Sequence, residues 1–364
     1  MSDPAIWMRR ALALAANGRA TTHPNPRVGC VIVRDDGEGP RIVGEGWHQR
    51  AGEPHAEVFA LRAAGARARG ADVYVTLEPC AHHGRTPPCA DALIAAGVRR
   101  VFAAIGDPFP QVAGQGFAKL RAAGIECTAG LLEAEARALC RGFLSRIERR
   151  RPWLTLKLAM SLDGRTAMAT GESRWITGDA AREDVHRLRA EAGAVLTSSD
   201  TVLADDPELT VRLPRAADEG WRQPDRIVLD TSARVPATAK VWNPGARRFW
   251  LTAVAATAPA EVESTVLLRD LSGHLSLPAA LRYLAARDIN EVFAECGPRL
   301  AGALLRERLV DELLVYAAPK LLGDDARGLV RLPGLERLAD HVALEFTGVE
   351  FLGTDLKITA RPRA

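Results

Sequence analysis

The sequence predicts two consecutive α/β domains, and three observations carry that expectation. The chain is 364 residues long, which at roughly 100–200 residues per domain favours two cores over one. Short apolar runs alternate with amphipathic ones on both sides of residue 150. Between the halves stands Arg149-Arg150-Arg151-Pro152, a basic triplet closed by a residue that cannot continue a helix. The expected division is 1–147 and 148–364, with the junction between about 145 and 152.

In the first half, strands are expected at 28–33, 41–46, 72–77, 100–105 and 125–129. Helices are expected at 56–64, 90–96 and 117–123, followed by a helical run over 131–150 rich in Ala, Glu and Arg. The order β-β-α-β-α-β-α-β describes a sheet covered on both faces. The second half restarts with a strand at 153–159 and continues through strands at 194–197, 226–229, 248–251, 291–295 and 312–317. Helices are expected at 179–190, 278–287 and 299–309. Two alternating runs around Gly353, within 341–359, read as a terminal hairpin.

Composition excludes several classes of partner. Apolar residues make up 47% and charged residues 26%, and 48 basic side chains face 45 acidic ones, for a net charge of +3. That balance gives no electrostatic ground for a nucleic-acid or membrane partner, and aromatic residues at 5% are few for gripping a strand. The triplet at 149–151 reads as a solvated linker. No apolar run approaches the ~20 residues that span a bilayer, and the N-terminus lacks a signal-peptide pattern. Six cysteines in a chain of this length make no disulfide framework, so a reducing cytoplasm is expected.

The most specific pattern is His55-Ala56-Glu57, followed by Pro79-Cys80 and then Cys89. One imidazole and two thiolates supply three of the four ligands of tetrahedral zinc and leave one position for water, as a catalytic site requires. His55, Cys80 and Cys89 are therefore the expected metal ligands. Glu57, two residues on at the start of a helix, is the expected catalytic acid–base group. Cys89 opens the next helix, whose N-terminus favours thiolate. The pattern is similar to the zinc-deaminase signature H-x-E with P-C-x-x-C, but eight residues separate the cysteines here. His82 and His83 within that stretch stand as alternative ligands or as substrate contacts.

The segment from Thr76 to Cys89, with His23-Pro24-Asn25-Pro26-Arg27-Val28-Gly29-Cys30 and Gly44-Glu45-Gly46-Trp47-His48, resembles the bifunctional deaminase/reductase family of riboflavin biosynthesis. The long loop between the cysteines is what sets that family apart from nucleoside and tRNA deaminases. The resemblance implies a cytidine-deaminase-like α/β/α first domain. Its substrate would be a diaminopyrimidinone carrying a ribosyl phosphate, with Asn25, His82, His83 and Arg85 near it.

The second half has no G-x-G-x-x-G after a strand, so the ordinary dinucleotide fingerprint is absent. Glu295-Cys296-Gly297-Pro298-Arg299 joins a buried strand to a helix, a place suited to phosphate binding or simply to a capping turn. Asp205-Asp206-Pro207 reads as a solvated turn, with Arg212 shortly after it well placed for an anionic phosphate. The resemblance extends over these residues and over Lys157–Gly164 and Ser173–Thr177. It implies a dihydrofolate-reductase-like α/β fold that binds NADPH. On that ground Ala159, Trp175, Thr201, Asp205, Thr231, Gly297, Pro298 and Arg299 are expected at the cofactor. Ser173, Arg189, Leu209, Arg212 and Glu295 are expected at the substrate. The resemblance thus implies zinc and NADPH as cofactors and a small-molecule substrate, and homo-oligomers are compatible with it.

Overall fold

A computed structural model describes residues 3–82, 87–109 and 113–363. The chain divides into two compact units, Met1–Arg150 and Arg151–Ala364.

The first unit begins with a helix that the apolar pattern did not predict, α1 (Pro4–Ala16). Its start is nonetheless encoded: the Asp3 side chain accepts from the Ala5 N–H at 3.0 Å, and Pro4 occupies the first turn, where a missing N–H costs nothing. Then come β1 (Gly29–Asp35), β2 (Pro40–Trp47), α2 (Ala56–Ala64), β3 (Asp72–Val75), α3 (Cys89–Ala96), β4 (Arg100–Ala103), α4 (Gln115–Ala122) and β5 (Glu126–Ala129). The run expected as one helix over 131–150 is two, α5 (Glu133–Leu139) and α6 (Arg141–Arg149), broken at Cys140, whose ψ of 15° leaves the helical range.

The sheet order is β2-β1-β3-β4-β5, with β1 antiparallel to both neighbours and the last three strands parallel. Helices cover both faces, and two glycine contacts show how closely. A Cβ on Gly29 would lie 2.0 Å from the Ala11 carbonyl oxygen of α1, and one on Gly46 would lie 2.4 Å from the Ala56 carbonyl oxygen of α2. Gly46 pairs with Cys30, the neighbour of Gly29, so the two contacts lie on opposite faces. Cys30, Val31, Ile32 and Val73 are fully buried between the layers, each worth roughly 1.5–3 kcal/mol for the larger side chains. The close docking of α2 on Gly46 sets where His55 and Glu57 stand.

The second unit contains β6 (Trp153–Ser161), β7 (Arg165–Ala167), α7 (Asp179–Ala192), β8 (Ala194–Ser198), α8 (Ser199–Asp205), α9 (Pro214–Asp218), β9 (Asp225–Asp230), β10 (Arg248–Thr252), β11 (Glu263–Val266), α10 (Leu277–Ala285), β12 (Glu291–Glu295), α11 (Pro298–Arg306), β13 (Glu312–Ala318), β14 (Arg327–Gly328), β15 (Leu344–Leu352) and β16 (Asp355–Pro362). Nine strands form one sheet in the order β11-β10-β9-β8-β12-β6-β13-β16-β15. The first seven are mutually parallel, and β16 runs antiparallel to both neighbours, so the expected terminal hairpin closes one edge.

Parallel strands buried on both faces need near-continuous apolar sequence. Leu154, Leu156 and Leu158 of β6 pack with α10 and α11, while Phe293 of β12 and Tyr316 of β13 pack with α7. Arg151, expected as part of a solvated linker, instead pairs with the Asp311 carboxylate at 2.7 and 2.9 Å and anchors the start of β6. Among the described residues, no helix is long and apolar enough to cross a membrane.

Candidate active sites

In the first unit, His55 stands at the N-cap of α2, Cys80 follows β3, and Cys89 opens α3. His55 Nδ1 lies 3.6 Å from Cys80 Sγ and 3.3 Å from Cys89 Sγ, and the three donor atoms all lie within 4.8 Å of one another. Zinc with bond lengths near 2.0–2.3 Å spaces its tetrahedral ligands about 3.5–3.8 Å apart, so this donor set fits the ion. The Cys89 N–H points at Cys80 Sγ, 3.3 Å away. The hydrogen bond from Cys89 and then His55 bring the Cys80 thiol down to about 4, whereas Cys89, as the donor, is held well up. Of the two thiols, Cys80 is thus the one that gives up its proton more readily.

Glu57 sits in the first turn of α2 and is only 3% exposed. Among the described residues its Oε2 has no hydrogen-bond partner, and burial raises its pKa. A buried carboxylate oxygen left open beside a cluster of metal ligands suits a proton-handling group.

Asn25 donates from Nδ2 to His48 Nε2 at 3.0 Å, and the His48 ring stands edge-on to that of His55, with centroids 5.4 Å apart. The structure therefore brings Asn25 to the zinc ligands through a histidine that sequence reasoning noticed only as part of a motif. Among the described residues, His82 is not in the donor cluster and its buried Nδ1 has no partner. His83 and Arg85 lie outside the described residues.

A second missed residue is Glu78, buried beside Pro79. Its carboxylate accepts from the N–H groups of Asp107, Gly114 and Phe117 at 3.0–3.1 Å. It thereby caps α4 and fixes the turn that carries Cys80. Burial raises Asp107 nearby to about 6. Its place directly before Pro79-Cys80 was the available signal.

In the second unit the expected residues gather at the carboxyl ends of adjacent parallel strands, where open α/β sheets bind ligands. Ala159 lies late in β6, Thr201 just beyond β8, Thr231 just beyond β9, and Glu295 ends β12. Gly297 N-caps α11, Pro298 fills its first position, and a Cβ on Gly297 would lie 4.0 Å from Thr201 Oγ1. Arg299 Nη1 reaches Asp200 at 3.6 Å. Trp175 is 63% exposed, with the Arg182 guanidinium 4.7 Å over its ring. The preceding Arg174 donates to the Asp205 carbonyl at 2.7 Å, which ties the loop holding Ser173 and Trp175 to Asp205.

Arg189 and Glu295, 106 residues apart in sequence, form a fork at 2.5 and 3.1 Å. Lys157, largely buried, lies 3.9 Å from the same carboxylate and 5.9 Å over the Tyr316 ring. Burial would raise Glu295, but Arg189 and Lys157 outweigh it and hold the carboxyl below its ordinary range. Burial lowers Lys157. Arg189 Nη1 also donates to the Thr210 carbonyl at 2.9 Å, which links the fork to the segment of Leu209 and Arg212. Arg212 is half exposed and leans on Thr210 Oγ1 at 3.2 Å and on Glu208 at 3.5 Å. Lys157 opens the Lys157–Gly164 stretch, and the distances alone single it out. Cys296, half-buried in that turn, is a thiol raised to about 12 by burial, hence unreactive.

Comparison with known proteins finds a family match on each unit. A family model described as the cytidine and deoxycytidylate deaminase zinc-binding region matches residues 1–105, and one described as the RibD C-terminal domain matches residues 152–358. The riboflavin biosynthesis protein RibD of Escherichia coli is 55% identical over 359 residues, covering 96% of this chain and 97% of its own. That of Haemophilus influenzae is 48% identical, covering 100% and 98%. Among solved structures, Acinetobacter baumannii RibD superposes with a TM-score of 0.90 at 44% identity, covering 99% of each chain. A Thermotoga maritima diaminohydroxyphosphoribosylaminopyrimidine deaminase/5-amino-6-(5-phosphoribosylamino)uracil reductase does so with a TM-score of 0.86 at 36% identity, covering 99% and 98%. The His55, Cys80 and Cys89 cluster falls within the matched zinc-binding region and is its zinc site.

Proposed function

From the premise that the chain belongs to the RibD family of bifunctional riboflavin-biosynthesis enzymes, we propose how its residues divide the two reactions. It is a deaminase and a reductase, and we assign the deaminase to 1–147 and the reductase to 148–364. The first reaction converts 2,5-diamino-6-(5-phosphoribosylamino)pyrimidin-4(3H)-one and water to 5-amino-6-(5-phosphoribosylamino)uracil and ammonia. The second reduces the ribosyl side chain of that product to ribityl with NADPH.

The observation that carries the deaminase assignment is the open Glu57 Oε2 beside the His55, Cys80 and Cys89 donors. Zinc, when bound, supplies the Lewis acidity that makes water a nucleophile at neutral pH. Glu57 accepts the proton from the attacking water at Oε2 and passes it to the departing amine. Asn25, His82 and Arg85 are assigned to binding the substrate.

For the reductase, NADPH supplies the hydride, and the protein supplies position. Ala159, Trp175, Thr201, Asp205, Thr231 and the turn Gly297-Pro298-Arg299 hold the cofactor. Ser173, Arg189, Leu209, Arg212 and Glu295 hold the substrate. Arg212 takes the sugar phosphate, where a guanidinium replaces its weak surface contact to Glu208 with charge-assisted hydrogen bonds.

We further assign the enzyme to the cytoplasm, because six free thiols, two of them metal ligands, suit a reducing compartment. Self-association is assigned to β15, an edge strand that leaves Phe346 and Phe351 exposed at 71% and 78%. The test of the two-reaction reading is to supply the diaminopyrimidinone ribosyl phosphate with and without NADPH. Ammonia is expected in both cases, and the ribityl product only with NADPH. Absence of ammonia from a zinc-loaded preparation would refute the assignment.

A further inference from the structure

We infer that Gln223 is a positioning residue for the reduction: its side-chain amide, with His186 opposite, holds backbone segment 208–212 in the conformation that presents Leu209 and Arg212. The inference rests on the reductase reading above.

Residues 206–213, between α8 and α9, belong to no helix and no strand ladder. Their backbone N–H and C=O groups must therefore find partners elsewhere. Within this segment Leu209 is 3% exposed and has a φ of +54°. A left-handed backbone at a bulky residue persists only where its surroundings over-determine it.

Three side chains provide that restraint. Gln223 accepts from the Val211 N–H through Oε1 at 2.8 Å and donates from Nε2 to the Val211 carbonyl at 2.9 Å. It thus reproduces, with one side chain, both hydrogen bonds that a neighbouring strand would make. The Thr210 carbonyl accepts from Arg189 Nη1 at 2.9 Å and from His186 Nδ1 at 3.1 Å. With its proton on Nδ1 the ring makes that bond to the Thr210 carbonyl, and with Nδ1 bare it accepts instead from the Arg212 N–H at 3.4 Å, so the ring holds the segment in either tautomer. His186 and Arg189 lie three apart on α7, so both meet the segment from one helix face.

The restraint is rooted in rigid structure. Gln223 stands two residues before β9, all six of whose residues are buried, and Asp225 at its start is gripped by Arg247 at 2.6 and 3.0 Å. A carboxamide alone suits the position, because it carries a donor and an acceptor on one planar head. Glutamate would keep the bond from the Val211 N–H but set a carboxylate against the Val211 carbonyl, and leucine would keep neither bond. The residues fixed in this way touch the proposed substrate side, Leu209 and Arg212. The proposed cofactor residues Thr201 and Asp205 have their own helix, α8, capped by Ser198, which accepts from the Thr201 N–H at 3.4 Å.

The test uses the full chain, comparing Gln223→Leu, Gln223→Glu and His186→Ala with wild type. The readouts are kcat and KM for 5-amino-6-(5-phosphoribosylamino)uracil, Kd for NADPH by fluorescence quenching, and ammonia release by the first unit. Gln223→Leu is expected to raise KM by about tenfold to a hundredfold, the scale of a small misplacement of a binding group. NADPH Kd and ammonia release should stay at wild-type values, with Gln223→Glu and His186→Ala falling between Gln223→Leu and wild type in KM. An unchanged KM in Gln223→Leu overturns the inference. So does a KM that rises together with NADPH Kd, which marks a general loosening. Should Gln223→Leu not fold, Gln223→Glu decides by the same two criteria. Wild-type protein that fails to oxidise NADPH with this compound overturns the reductase reading itself, and with it the premise of the inference.

Discussion

Asn25 Nδ2 lies 3.0 Å from His48 Nε2, while His48 Nδ1 lies 3.1 Å from the Pro54 carbonyl oxygen. The carbonyl must accept, so Nδ1 carries the proton and Nε2 is left to accept from the amide. This commits the Asn25 NH₂ group to His48 and turns its carbonyl oxygen the other way. The tautomer of one buried histidine thus sets which end of the amide a pyrimidine ring meets.

His48→Ala should therefore raise KM for deamination by about tenfold, the cost of one oriented hydrogen bond, and leave zinc content unchanged. Steady-state ammonia release together with metal analysis checks this. Loss of zinc in the variant would mean that His48 supports the ligand His55, whose ring it touches, rather than Asn25.

Glu57→Gln should keep the fold and the zinc but lower ammonia release by at least ~10²-fold, the lower end for a positioned acid–base group. The glutamine amide is nearly isosteric and cannot take up the proton. Near-normal turnover by this variant would remove Glu57 from the mechanism.

Arg212→Ala should raise KM for the ribosyl phosphate in the reduction and leave NADPH affinity intact. A half-exposed guanidinium held, among the described residues, by Thr210 Oγ1 and a 3.5 Å contact to Glu208 is available to a phosphate. If NADPH Kd rose and substrate KM did not, the two binding assignments would be reversed.

The second unit should lose stability as pH falls from about 6.5 towards 4. Burial, then Arg189 and Arg212, hold His186 down to about 4, against an ordinary value of 6.5. Between those values the unfolded chain binds a proton that the folded chain refuses, so the contribution is present above 6.5 and is lost on acidification. Asp163, held near 2, acts only below its ordinary 3.8 and leaves this window clear. The stability of wild type relative to His186→Gln, read as urea midpoints, should shrink from pH 7 to pH 4.5. A difference that stays constant over that range would place the imidazole in a freely titrating environment.

Legibility from sequence followed the range of the interactions. Runs such as Val31-Ile32-Val33 and Leu154 to Leu158 declared themselves as strands because burial on both faces demands continuous apolar residues. The zinc ligands were legible because cysteine and histidine at the ends of adjacent elements have few other uses. The helix α1 escaped notice, although Asp3-Pro4 is a capping signal, because its buried face is built largely of alanine. In the second unit the contents of the cleft came from family resemblance, since no periodicity shows that Arg189 will meet Glu295 across 106 residues. The contacts of Gln223, Glu78 and His48 stayed hidden for a related reason. Each acts on a backbone group or amide 6 to 39 residues away, and a polar side chain in a loop gives no sign of which backbone group it will hold.

The central claim, that two independent chemistries occupy two units of one chain, is tested most directly by removing the metal. Protein stripped with a chelator, and separately Cys80→Ser, should be supplied with each of the two pyrimidine ribosyl phosphates in the presence of NADPH. Three protein ligands leave little redundancy in the zinc site, so both preparations should release no ammonia from the diamino compound. Both should still oxidise NADPH at the wild-type rate when given the already deaminated compound, and zinc should restore ammonia release to the stripped protein but not to Cys80→Ser. Reduction that stops when the metal is removed, or ammonia release that survives full metal loss, would contradict the account.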